Sequence, residues 1–254
     1  VREAEMMSVI AELEELSMNA WPALESLADD GWVLRFAEGY TKRANSVYPL
    51  YPSERELEEK ILACETFYTK KGLPTIFKLT PAAQPAELDR VLEEKGYLTS
   101  GHTSVQTVSL DSINAPTVHP VRVYRECTDE WLDDFCRLSA KSENEKRTMS
   151  ETLRKISPPA CYMTLFHEDA AVACGLGVLD RGYLGLYDIV TDSLFRRQGF
   201  GEQLVLNLLH WGAKNGAKAS YLQVIADNLS ARRLYEKLGY REAYPYWYRI
   251  KEKP

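Results

Sequence analysis

Hydrophobic and polar positions recur along this chain with two periods, and each period predicts a kind of element. Met6, Ile10, Leu13 and Leu16 fall at helical spacing and predict a helix over residues 3–27. Residues 32–37 read as a strand, and the polar, proline-bearing stretch 39–52 as turn and loop. A helix is predicted from Ser53, a good cap, to Lys71. A strand over 75–79, a helix over 85–95 stopped by Gly96, and a strand over 105–110 follow. Residues 111–120 hold Pro116 and Pro120 and little that is apolar, which makes them the expected linker.

After the linker the pattern restarts. Strands are predicted over 121–124, 162–166, 171–179, 183–191, 220–225 and 244–251. Helices are predicted over 129–140, 150–156, 202–215 and 229–238. The helix at 202–215 sets Leu204, Val205, Leu208 and Leu209 on one face. Asn228 is the expected cap of the last helix and Gly239 its stop. Strands alternating with helices in this way imply a mixed α/β sheet with helices on both faces. The segment Leu88 to Tyr97 is similar to Ala231 to Tyr240, helix followed by Gly-Tyr in both cases, which suggests a duplicated domain.

Bulk properties narrow the function. A chain of 254 residues suits two domains of about 120 residues each. Hydrophobic residues at 45% and charged residues at 27% are globular values, which sets disorder aside. A net charge of −6 argues against a general nucleic-acid binder and favours a cationic small molecule or a basic peptide as partner. Five cysteines (Cys64, Cys127, Cys136, Cys161 and Cys174) form no Cys-x-x-Cys pair and read as buried free thiols in a reducing compartment. No apolar run approaches the roughly 20 residues that span a bilayer. The first residues carry acids and lack the basic-then-apolar form of a signal peptide. The expectation is a soluble cytoplasmic protein, monomer or homodimer, with neither membrane nor nucleic-acid partner and no metal.

The candidate chemistry begins where the strand over 183–191 ends. Arg196, Arg197, Gln198, Gly199, Phe200 and Gly201 lead from it into a helix. Glycines there let the backbone approach a ligand closely, and the amides and dipole of a helix start favour an anion. With two arginines beside them, the arrangement suits a pyrophosphate, or else is an ordinary glycine-rich turn with solvated arginines. Neither a P-loop nor a Gly-x-Gly-x-x-Gly dinucleotide motif occurs.

Arg196-x-x-Gly199-x-Gly201 between strand and helix resembles the acetyl-CoA signature of the GNAT N-acetyltransferase superfamily. Asn228-x-x-Ala231-x-x-Leu234-Tyr235-x-x-x-Gly239-Tyr240 resembles its second motif. The resemblance covers the C-terminal half and extends more weakly to the N-terminal half. It implies two GNAT-like domains, each a mixed, mostly antiparallel sheet flanked by helices: a degenerate one over residues 1–115 and a catalytic one over 119–254. It also implies direct transfer of the acetyl group of acetyl-CoA to an amine. Residues Arg196 to Gly201 would then hold the coenzyme with Asn228 and Tyr235. Backbone N–H groups of Ile189, Val190 and Thr191 would polarise the thioester, and Tyr235 would protonate the leaving thiolate.

Asp188 is the best side-chain candidate for the base, because a carboxylate in an apolar strand needs a task or a partner. A structural hydrogen bond or a contact to the substrate ammonium is the alternative. His167 and His210 read as solvated. In the N-terminal half, Leu92 falls where Tyr235 sits and no glycine-rich basic loop precedes the helix. This half is expected not to turn over acetyl-CoA and to shape the acceptor pocket. Residues 35–47, with Glu38, Tyr40, Arg43, Asn45 and Ser46, either contact the acceptor or hold their own turns. The acceptor is expected to be a small amine, with a protein lysine or N-terminus as the alternative within the same chemistry. A non-catalytic CoA-binding sensor is the rival from another class.

Overall fold

The computed structural model describes residues 2–118 and 120–252. His119, at the edge of the expected linker and the expected start of the second domain, lies outside the described residues, as do Val1, Lys253 and Pro254. The chain divides into two compact units, Val1–Ser104 with Tyr244–Pro254, and Val105–Ala243. The boundaries expected at 115 and 119 do not coincide with these units. Residues 105–115 go with the second unit, and the end of the chain goes with the first.

In the first unit α1 (Arg2–Ala20) buries Ile10, Leu13 and Leu16. It stops seven residues short of the predicted 27, because Pro22 carries no N–H and disfavours the helical region for Trp21 before it. Residues beyond it form β1 (Glu25–Asp29), paired antiparallel with β2 (Trp32–Phe36). Asp30 and Gly31 join them with φ of 47° and 83°, the left-handed pair that a tight hairpin turn of this hand requires. β3 (Val47–Tyr48), α2 (Leu57–Lys70), β4 (Thr75–Leu79), α3 (Leu88–Glu94) and β5 (Leu98–Ser109) follow. α2 begins at Leu57 rather than Ser53, since the amides of Glu54 and Arg55 are bound by the Asp30 carboxylate at 3.1 and 3.0 Å. Lys60, fully buried, reaches the same carboxylate at 3.3 Å. Trp32, Phe36, Ile61, Tyr68, Phe77 and Leu92 centre the core of this unit.

The second unit runs through β6 (Val121–Tyr124), α4 (Asp129–Ser139), α5 (Glu143–Leu153), β7 (Ala160–His167), β8 (Ala170–Asp180), β9 (Tyr183–Thr191), α6 (Phe200–Lys214), β10 (Ala219–Ile225) and α7 (Leu229–Lys237). The last strand, β11 (Arg241–Lys251), ends the described chain and pairs antiparallel with β4. α5 begins earlier than predicted because Ser142 and Glu145 form a reciprocal capping box. Strand order in the second unit is β10-β9-β8-β7-β6, antiparallel from β6 to β9 and parallel between β9 and β10. Leu204 and Leu208 of α6 pack on one face of the sheet over Gly175 and Gly177. On the other face, Trp131 of α4 bonds to the Met163 carbonyl at 3.1 Å and meets the Tyr162 ring edge-on.

Candidate active site

The site begins with an irregularity in β9. Cys174 is paired with Val190 and Leu176 with Tyr187, so Gly175 alone stands opposite Asp188 and Ile189. Two residues against one is a β-bulge, and Asp188 adopts the left-handed φ of 51° that turns the strand there. Gly175 makes room for it: a Cβ there would lie 2.7 Å from Ile189 Cδ1. On its other side β9 parts from β10. The parallel ladder runs from Ala219 and Tyr183 to Leu222 and Leu186, and both strands continue past it. Beyond Leu186 and Leu222 the end of β9, with Ile189, therefore borders a gap between two diverging strands.

A short 3-10 turn, Ser193–Phe195, leads away from β9, the Leu194 amide donating to the Asp192 carboxylate at 2.9 Å. Arg137 reaches Asp192 at 3.8 Å and the Ala171 carbonyl at 3.0 Å. Arg196, Arg197, Gln198 and Gly199 are exposed. Arg196 turns one donor back to the Thr191 carbonyl at 3.4 Å, and Gln198 bonds the Leu194 carbonyl at 3.0 Å. Gly199 is the N-cap of α6 with φ of 88°, has no side chain to cap the helix, and faces open space. The first amides of a 15-residue helix thus point outward uncapped beside two arginines. Phe200 serves differently from its neighbours. Its ring packs with Phe195 and with His167, so His167 is half of an aromatic contact rather than merely solvated.

α7 closes the arrangement. The Asn228 carboxamide accepts from the Ala231 amide at 3.2 Å, so this oxygen is engaged as a helix cap. A Cβ on Gly201 would lie 3.1 Å from Thr191 Oγ1 and 3.8 Å from Leu234 Cδ2, which draws the end of β9, the start of α6 and α7 together. Lys237 and Glu202 tie the two helices at 2.6 Å. Tyr235 is 8% exposed, its ring edge-on to Tyr240 at 5.8 Å, and burial pushes its phenol up to about 12. Asp188 is half-buried, and its charge is felt by Cys127 and Tyr162. Burial pushes the Cys127 thiol up to about 11, and the carboxylates of Asp129 and Asp188 add to this against Arg154. Tyr162 is raised chiefly by burial and also by Cys127 and Asp188.

The structure brings Asp188, Ile189, Val190, Thr191 and the Arg196–Gly201 loop together with the helix bearing Tyr235. His210 lies apart, part-exposed along α6. In the polar stretch 35–47 of the first unit, Arg35 and Asn45 hold turns of the chain. Arg35 donates to the carbonyls of Trp21 and Arg43, and Asn45 bonds the amides of Ala37 and Gly39. Sequence reasoning missed Gly185, Tyr187 and Tyr221. A glycine inside a strand was the available signal of close approach. No group of three or more His, Cys, Asp or Glu among the described residues is placed to hold a metal, and no helix among them is long and apolar enough to cross a membrane.

Comparison with known proteins adds the family. A family model described as "Probable histone acetyltransferase Rv0428c C-terminal" matches residues 7–249. The "Uncharacterized N-acetyltransferase YobR" of Bacillus subtilis is 30% identical over 249 residues, covering 96% of this chain and all of that one. Among solved structures, a GCN5-related N-acetyltransferase from Kribbella flavida superposes with a TM-score of 0.73 at 15% identity, over 96% of each chain. A tandem GNAT protein from the clavulanic acid biosynthesis pathway superposes with a TM-score of 0.63 at 15% identity, over 79% of this chain and 72% of that one.

Proposed function

The chain belongs to the GNAT N-acetyltransferase superfamily, within the family of the Rv0428c C-terminal region, and from that premise we propose that its second unit transfers the acetyl group of acetyl-CoA directly to the primary amine of a small molecule. The observation that carries this reading is the parting of β9 from β10 at the Asp188 bulge, with the uncapped start of α6 at its mouth.

The residues present fit the coenzyme. Amides at Gly199, Phe200 and Gly201, with the exposed Arg197 and Arg196, suit its pyrophosphate. The backbone N–H groups of Ile189 to Thr191 border the gap in which its thioester would lie. Donors fixed toward a carbonyl oxygen that gains negative charge contribute a few kcal/mol each. The amine nitrogen attacks the acetyl carbon, the C–N bond forms as the C–S bond breaks, and the sulfur leaves with the electron pair. Tyr235 supplies the proton to that sulfur, and the proton that the nitrogen sheds as it becomes the amide returns through water to the phenolate. Its phenol, raised to about 12, is protonated throughout the neutral range. The amine arrives as an ammonium and must first lose a proton, which Asp188 accepts directly or through water.

The first unit takes no coenzyme in this reading. Its counterpart loop, 49–56, contains two prolines and no glycine. Its free amides are filled by Asp30, and Leu92 is buried where an acid would stand. A protein lysine or N-terminus is the second reading of the acceptor, favoured by the description of the matching family. The test is release of CoA thiol from acetyl-CoA with a panel of small primary amines, lysine-bearing peptides and free N-terminal peptides. Turnover confined to small amines supports the reading, and turnover confined to peptides replaces it with the second. Hydrolysis or silence across both panels sinks the amine assignment.

A further inference from the structure

Below the gap, two tyrosines meet across the last paired residues of β9 and β10. Tyr187 Oη and Tyr221 Oη lie 2.9 Å apart, and both rings are buried, at 3% and 2% exposure. The rings stand edge-on, with centroids 6.2 Å apart. Gly185 is what lets them meet. A Cβ there would lie 2.6 Å from Tyr221 Cζ and Oη and 2.8 Å from Tyr187 Cε2, distances that no side chain tolerates. Tyr187 is the first β9 residue beyond the ladder to β10 and the residue immediately before the left-handed Asp188. It also pairs with Leu176, the last regular partner before the bulge. The hydroxyl contact therefore joins the two strands at the point where they separate, on the sheet face away from α6.

We infer that the Tyr187–Tyr221 hydroxyl clasp, seated on Gly185, is a positioning device that sets how far β9 and β10 open, and so aims the backbone N–H groups of Ile189 and Val190 at the thioester carbonyl. The inference rests on the coenzyme reading above. Both tyrosines are buried, and neither has a part in the proton transfers proposed above. A hydrogen bond between two buried side chains fixes the rings in one relative position, and the bulge is attached directly to one of them. A displacement of reacting groups on the scale of an ångström lowers rates by up to about a hundredfold without touching the chemistry.

The test uses the full chain and the variants Tyr187→Phe, Tyr221→Phe and both together, which keep the rings that fill the core and remove the contact. Calorimetry gives acetyl-CoA affinity, steady-state assays give kcat, and infrared difference spectra with carbonyl-labelled acetyl-CoA give the stretching frequency of the bound thioester. In wild type the bound carbonyl shifts to lower frequency than in water. In each single variant most of that shift is lost and kcat falls roughly tenfold, while coenzyme affinity changes less than about twofold. The double variant falls no further than either single one, because one contact is lost in all three. A purely structural role would lower stability and leave the carbonyl frequency where it was. Full retention of the wild-type shift and of kcat in Tyr221→Phe overturns the clasp alone. A wild-type carbonyl that does not shift, or wild type that binds no acetyl-CoA, overturns the coenzyme reading and the clasp's role with it.

Discussion

At the scale of single residues, burial sets the titration of Tyr235, the proposed acid. Its ring belongs to the hydrophobic cluster that also holds Leu204, Leu222 and Tyr240, and this burial raises its phenol. A proton donor must be protonated before it acts, and a group raised to about 12 stays so at every pH below that value. The sign is therefore that alkalinity does not disarm it, and kcat is expected to hold without an alkaline fall up to about pH 10. Tyr235→Phe keeps the ring and removes the proton. It is expected to lower kcat by about a hundredfold while acetyl-CoA affinity stays within about twofold, measured by initial rates and calorimetry on the same preparation. An unaltered kcat would remove Tyr235 from the mechanism. Tyr235, Gly199 and the two arginines were legible in the sequence because motif spacing marks them. Tyr187 and Tyr221 were not, since two tyrosines more than thirty residues apart become partners only through the parallel register of β9 and β10.

At the scale of elements, the caps and turns account for where prediction and structure diverge. The helices at 129–139, 200–214 and 229–237 and the strands at 75–79, 121–124 and 183–191 follow their apolar periodicity closely. β1 escaped notice because all but its last residue are exposed and no alternation marks it; only the Asp30-Gly31 turn signals a hairpin. The cause of the bulge in β9, Gly175 admitting Ile189, needs the cross-strand register to be seen. Asn228 illustrates a residue whose structural task is visible: it caps α7. Asn228→Ala is expected to destabilise the fold by about 1 kcal/mol, and Asn228→Ser to recover most of it, both read from denaturant midpoints. Equal midpoints for wild type and Asn228→Ala would show that the cap contributes nothing and leave the side chain to ligand binding.

At the scale of the molecule, the two units differ in what their interiors bury. The second is conventional, aliphatic on the α6 face. The first encloses charge: Lys78 and Glu14 meet at 2.5 Å, both side chains essentially inaccessible, with Tyr244 donating to Glu14 at 2.8 Å. Burial works to lower Lys78, but the Glu14 carboxylate together with Tyr48 and Tyr246 outweighs it and the ammonium is held above its usual value. A raised lysine stabilises fully below its unfolded value near 10.5, and this stability is lost as pH climbs through the folded value. Lys78→Met leaves Glu14 buried without its cation and is expected to cost about 3–5 kcal/mol, seen as a large fall in unfolding midpoint at neutral pH that narrows in strong alkali. A midpoint within a degree of wild type would mean that water reaches the pair. The contribution of Tyr244 also explains why the unit boundaries were not readable from composition. The linker-like stretch at 111–120 marks a change in pattern, whereas the return of residues 244–251 to the first unit depends on their ladder with β4.

The central claim is that the second unit holds one acetyl-CoA by the start of α6. Calorimetric titration of acetyl-CoA into wild type and Gly199→Glu tests it most directly. At a φ of 88° in open space, glutamate adds backbone strain and negative charge where the pyrophosphate would sit. The account predicts one site per chain in wild type and loss of at least a hundredfold in affinity in the variant, with its circular dichroism unchanged. Two sites per chain, or a variant that binds as wild type does, would contradict it.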